Sequence, residues 1–148
     1  MSTESFVRAT GIATPAESAA YLFDKLRFHT DAWDLALDLK AVHPDVVVID
    51  TRSSDAYAAG HIPGAVSFPH RTMNAQTTAT LDRTKIYVAY CDGIGCNGST
   101  QGSYKLASFG LTVKELIGGL DFWLRDGHPV VKGDQPGHYD QALIQCAC

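Results

Sequence analysis

Two apolar runs, Val46-Val47-Val48-Ile49 and Ile86-Tyr87-Val88-Ala89-Tyr90, pass without polar interruption. A strand wetted on one face alternates apolar and polar positions. A continuous run instead predicts a strand buried on both faces, as in a parallel sheet covered by helices. A third, shorter strand is expected at 113–117. Helices are expected at 54–59, 71–75, 100–109 (stopped by Gly110) and 120–126. Strands and helices therefore alternate, and the economical solution is an α/β fold with a parallel sheet flanked by helices.

Ahead of the first strand the period changes to that of a helix. Thr14-Pro15-Ala16-Glu17 carries a threonine cap, a proline in the first turn and a glutamate three residues after the cap. A helix from there to about Phe28 would align Ala16, Ala19, Ala20, Phe23 and Leu26 or Arg27. Thr30 or Asp31 caps a second helix with Trp33, Ala36, Leu37 and Ala41 on one face, and His43-Pro44 ends it. The expected organisation is an α-helical N-terminal extension packed on the domain (1–43), a core (44–132) and a C-terminal tail (133–148). The apolar stripes of the extension either cover one side of the core or support a homodimer.

Composition narrows the function classes. The formal net charge is −4 and no block of lysine or arginine occurs, which argues against nucleic acid or a membrane surface as partner. The apolar runs are too short to span a bilayer, and residues 1–13 lack a secretory pattern, so a cytoplasmic protein is expected. The chain has 4 cysteines. Cys146 and Cys148 read as incidental thiols in a chain terminus, and Cys-x-Cys without a second ligand pair predicts no metal site.

The chemistry gathers at Cys91. It ends the second apolar run and opens the loop Cys91-Asp92-Gly93-Ile94-Gly95-Cys96-Asn97-Gly98-Ser99, with a helix beyond. Backbone N–H groups of such a loop and the positive end of the helix dipole favour thiolate over thiol. Gly93, Gly95 and Gly98 permit the curvature, and Asn97 or Ser99 is placed to cap the helix. Ligands of open α/β sheets bind at the carboxyl ends of strands. Asp50, Cys91 and Gly118-Gly119 each follow a strand, so all three are expected at one edge.

These residues resemble a single-domain rhodanese. Asp50-Thr51-Arg52, Asp55, Tyr57 and Gly60-His61-Ile62-Pro63-Gly64-Ala65 are similar to one signature of that family. Gly118-Gly119-Leu120-Asp121-Phe122-Trp123 with Gly127-His128-Pro129-Val130 is similar to another. The resemblance implies a sheet of about five parallel strands and a sulfurtransferase of the thiosulfate sulfurtransferase type. Cys91 would accept the sulfane sulfur of thiosulfate or a persulfide, hold it as a persulfide, and pass it to a thiol or cyanide. The implied partners are these small donors and acceptors or a sulfur-carrying protein. No cofactor is implied.

The loop resembles a variant of the family, C-x-x-x-x-C-N-G-(A/S)-T, with Cys96 where many active members carry arginine or threonine. No arginine lies between Arg83 and Arg125, so the phosphoryl clamp of phosphatases sharing the fold is missing. Asp92, the only charged residue of the loop, opposes an anionic donor unless it points away, which predicts poor use of thiosulfate. His61, His70 and Arg71 are candidates to restore positive charge. Cys96 is either a resolving thiol for Cys91 or a small apolar filler. A thiol redox or persulfide sensor is therefore the alternative function, and a non-catalytic binding module the third. Asp50 and Arg52 are expected to be structural, with Asp50 tying down backbone N–H groups. His61 reads as a hydrogen-bonded turn residue.

Overall fold

The computed structural model describes residues 3–139. Its centre is a five-stranded, all-parallel sheet of β1 (His29–Thr30), β2 (Val46–Asp50), β3 (Val66–Ser67), β4 (Ile86–Tyr90) and β5 (Thr112–Leu116), in the order β1-β5-β4-β2-β3. The helices are α1 (Pro15–Phe28), α2 (Ala32–Lys40), α3 (Ser54–Ala59), α4 (Ala75–Thr78), α5 (Gly98–Ser108) and α6 (Gly119–Arg125). The α/β parallel architecture expected from the uninterrupted runs is the one observed.

β4 lies at the middle of the sheet, paired with β2 from Val46↔Ile86 to Asp50↔Tyr90. Its alternate side chains feed different cores, as the two-residue period of a strand requires. Val88 and Tyr90 join Val48, Tyr57, Ile62, Leu35 and Trp123 on one face. Tyr87 joins Ile49, Met73, Leu106 and Leu111 on the other. Burial on both faces is why β4 carries no polar alternation.

Four local expectations change. The two-residue strands β1 and β3 have no periodic signal of their own, and residues 1–43, read as helical, contain the sheet-edge strand β1 paired with β5. α2 buries Ala32, Leu35 and Ala36, while Trp33 (67% exposed) and Leu37 (48% exposed) face outward. Small alanines let the helix approach its neighbours closely, which the bulky Trp33 stripe would prevent. α1 forms with its Thr14–Glu17 capping box intact, yet none of its residues is buried. The helix expected at 71–75 is a 3-10 turn, His70–Thr72, followed by α4, because Asn74 accepts from Gln76 and Thr77 N–H and starts a new helix there. The Cys146/Cys148 tail lies outside the described residues.

Candidate active site

The carboxyl ends of β2, β4 and β5 converge as expected. Thr51 bridges the first two, its N–H and Oγ1 both donating to the Tyr90 carbonyl at 3.0 and 2.7 Å. Cys91 follows directly, 4% exposed. The first turn of α6 grips the loop from the β5 side: Leu120 N–H donates to the Cys91 carbonyl (2.9 Å) and Asp121 N–H to that of Asp92 (2.8 Å). Helix-start donors that would otherwise be unsatisfied thus fix the loop. α6 is itself pinned by the fully buried Trp123, whose Nε1 donates to the Pro129 carbonyl at 2.8 Å.

This grip requires glycine at 119, where φ is +56° and a β-carbon would overlap the Cys91 carbonyl. Gly119→Ala should cost more than about 2 kcal/mol of stability, combining left-handed strain with overpacking. Urea unfolding checks this; an unchanged midpoint would refute the close approach.

Within the loop, Cys96 N–H donates to the Gly93 carbonyl at 3.1 Å and Gly98 N–H approaches Cys96 Sγ at 3.4 Å. The amides of Gly93, Ile94, Gly95 and Asn97 have no backbone acceptor among the described residues. Neither side-chain cap expected for α5 forms. Asn97 holds the cap position, but its Oδ1 accepts from Gln101 Nε2 (2.8 Å). Ser99 Oγ and Thr100 Oγ1 both donate to Glu115 Oε1 at 2.8 and 2.7 Å. Beyond the Gly98 N–H that approaches Cys96 Sγ, the first-turn donors of α5 have no side-chain cap, and the positive helix end faces the loop.

Cys91 and Cys96 are joined as a disulfide, with their Cα atoms 6.4 Å apart. Gly98 is packed against both sulfurs. A β-carbon there would stand 3.0 Å from Cys91 Sγ, 3.4 Å from Cys96 Sγ and 3.3 Å from His70 Cδ2.

Asp50 and Arg52 are joined by an ion pair as well as by a turn. Asp50 is fully buried; its Oδ1 accepts from Arg52 N–H and Nε, both at 3.0 Å, and its Oδ2 from Arg52 Nη2 at 2.7 Å. Arg52 Nη2 also reaches the Gly60 carbonyl (2.7 Å), and Nη1 reaches Asp92 Oδ1 (3.1 Å). Burial works against the guanidinium charge, but the bonds and field of Asp50 outweigh it, so Arg52 is held more firmly protonated than usual. Tyr90 donates to Asp50 Oδ2 at 2.7 Å and accepts from Ile62 N–H at 3.1 Å. Desolvation, then the neighbouring Asp50 charge, raises its phenol well above the ordinary range. Asp92 is thus tied to Arg52, yet one guanidinium serves two carboxylates and the trio stays net negative.

His61 is away from the cysteine. It is fully buried, stacks on Tyr57 at 3.7 Å between centroids, and its ring nitrogens meet the Tyr57 and Pro136 carbonyls at 2.9 and 3.1 Å. Two of the three residues considered for restoring charge, His70 and Arg71, do line the site. Together with Thr51, Arg52, Asp92 and the cysteine pair they bound an open cleft of about 540 Å³. A smaller cavity, about 260 Å³, lies on the other side of the loop. Cys96, Thr100 and Glu115 line it with Lys25 and His29. These last four were not singled out from sequence. Glu115, a partly buried carboxylate in a strand, carried the one available signal.

A parallel α/β domain that presents a cysteine loop between its central strand and a helix start has the architecture of the rhodanese fold. The Rhodanese-like domain family matches residues 31–126, and the chain belongs to that family. The BH2092 protein of Bacillus halodurans is 33% identical, with a TM-score of 0.78, over 90% of this chain and 99% of that one. A rhodanese-related protein of Thermoplasma volcanium is 26% identical, with a TM-score of 0.61, over 70% of this chain and 96% of its own. An HTH-type transcriptional regulator of Mycobacterium tuberculosis is 35% identical over 96 residues, which are 65% of this chain and 42% of the regulator. The chain thus spans less than half of that relative. Among the described residues, no helix is long and apolar enough to cross a membrane.

Proposed function

We propose that this protein is a sulfurtransferase that carries a sulfane sulfur on Cys91. The observation that carries the reading is the setting of Cys91 Sγ, against the first turn of α5 at Gly98 and inside a loop with unspent amides. Such a setting stabilises thiolate and persulfide anions. In the loading step the Cys91 thiolate attacks the outer sulfur of the donor. With thiosulfate the S–S bond breaks, sulfite leaves with the electron pair, and Cys91–S–S⁻ remains. In the second step an acceptor thiolate, or cyanide, attacks the outer sulfur and Cys91 thiolate departs. Small sulfur donors and thiols, or a sulfur-carrying protein, are the partners this chemistry needs.

The net negative Asp50–Arg52–Asp92 trio favours a persulfide donor over dianionic thiosulfate. Incubating reduced protein with each donor and measuring intact mass tests the reading. One added sulfur is expected from both, faster from the persulfide. No added sulfur from either would sink it.

The disulfide supports a second reading, a thiol redox or persulfide sensor. Cys96 thiol would attack Cys91 Sγ of the persulfide, forming the 91–96 disulfide and releasing the outer sulfur as hydrosulfide with the Cys96 proton. The sulfane sulfur is reduced by the two thiols, and no further oxidant is needed. Cys96→Ser should then retain the added sulfur and release no sulfide on loading, while the parent releases one equivalent. Equal sulfide from both would remove the second reading.

A further inference from the structure

Beside the sulfurs stands a histidine that the two-step transfer does not use. Backbone contacts hold its position: His70 N–H donates to the Thr51 carbonyl (3.0 Å), and Lys105 Nζ of α5 donates to the His70 carbonyl (2.7 Å). Its Cδ2, Cys91 Sγ and Cys96 Sγ border one small space over Gly98, where a β-carbon would stand 3.3, 3.0 and 3.4 Å from them. Glycine at that position is what lets an imidazole edge and two sulfurs converge.

The other edge of the ring is as informative. Nδ1 is buried and has no hydrogen-bond partner among the described residues. A proton on Nδ1 would bury an N–H with no acceptor, which is rarer and costlier than an under-used lone pair. The neutral ring therefore keeps its proton on Nε2, the nitrogen bonded to Cδ2, and His70 is among the residues that line the cleft. Adding a second proton would create the same orphan N–H at Nδ1. In the disulfide form, burial first, then the charges of Lys105 and Arg71, lowers the His70 pKa and favours the neutral ring. The remaining charged groups of the cleft are Arg52 and Asp92, already bonded to each other.

We infer that His70 is a fixed hydrogen-bond donor to the sulfur anion on Cys91, offering Nε2–H first to the thiolate and then to the outer sulfur of the persulfide. This rests on the sulfur-carrying reading of Cys91. His70 is neither a general base nor a source of positive charge: its one N–H faces the anion and stays protonated through the cycle. A hydrogen bond to a charged group is worth more than a neutral one, and it adds to the loop amides where charge accumulates.

The experiment compares His70→Gln, which keeps an N–H near the Nε2 position, with His70→Leu, which fills the space without a donor. Both are made in Cys96→Ser protein so that Cys91 is free. The pH profile of Cys91 alkylation by iodoacetamide reads the thiolate, and the decay of the added-sulfur mass reads the persulfide. His70→Leu should move the alkylation midpoint up and shorten persulfide lifetime by about tenfold, one charge-assisted hydrogen bond. His70→Gln should stay within about threefold of the parent. A His70→Leu profile matching the parent overturns the inference. So does a His70→Gln defect as deep as that of His70→Leu, which would mark proton exchange. Nitrogen NMR of histidine-labelled parent protein needs no variant to fold: protonated Nε2 is expected, and protonated Nδ1 overturns the inference. If the parent accepts no sulfur, the carrier reading fails, yet the alkylation and NMR arms still decide whether His70 bonds the thiolate.

Discussion

Cys91→Ser is expected to abolish sulfur loading from every donor, with no residual added mass above background. Serine changes one buried atom, so the fold should survive, and the melting temperature of reduced protein should stay close to the parent. The loss is chemical. A thiol near its ordinary pKa ionises partly at neutral pH and fully when amides and a helix start surround it, whereas a hydroxyl does not. Persulfide formation also needs an S–S bond that oxygen cannot make. Cys96 does not inherit the role. Its Sγ lies beside Gly98 N–H, but it begins neither the strand end nor the amide-rich turn. Intact-mass spectrometry of Cys91→Ser beside the parent decides the matter. A full sulfur load on the variant would move the carrier to another thiol.

Arg52→Ala should be the most destabilising single change near the site. Asp50 is fully buried, and three of its hydrogen bonds run to Arg52 side-chain nitrogens. Removing the guanidinium leaves a buried carboxylate with Tyr90 OH and the Arg52 N–H as its donors. Breaking a buried ion pair from one side costs about 3–5 kcal/mol, a large part of the stability of a domain this size. The penalty comes from the uncompensated charge rather than from the lost attraction. Asp50→Asn added to Arg52→Ala should therefore recover part of the loss. Urea unfolding of both single variants and the double checks this. A double variant less stable than Arg52→Ala would show that the guanidinium acts through packing and its bond to Gly60. Arg52→Ala also frees Asp92, placing an unpaired carboxylate next to Cys91 and raising its thiol pKa.

How much of this could be read from the chain depends on the range of each interaction. The capping box at Thr14 and Glu17 is local, and the helix starts where those residues place it. β2 and β4 announce themselves because burial on both faces leaves no alternation. β1 and β3 do not, since two residues carry no period and their pairing comes from neighbours already in place. The outward turn of Trp33 likewise depends on what α2 packs against.

The same division holds at the site. Legible in the chain alone were a parallel α/β fold, the strand-end position of Cys91, the glycine-rich loop after it and the lack of a phosphoryl-clamping arginine between Arg83 and Arg125. Each follows from contiguous residues, where period, turn chemistry and spacing act directly. Chain packing alone makes Arg52 join Asp50 to Asp92, puts His61 away from the cleft while His70 lines it with the two cysteines, and gives Glu115 the Ser99 and Thr100 hydroxyls. Apart from the local Asp50–Arg52 pair, those residues lie 15 or more positions apart in the chain, and only packing the helices onto the twisted sheet brings them together.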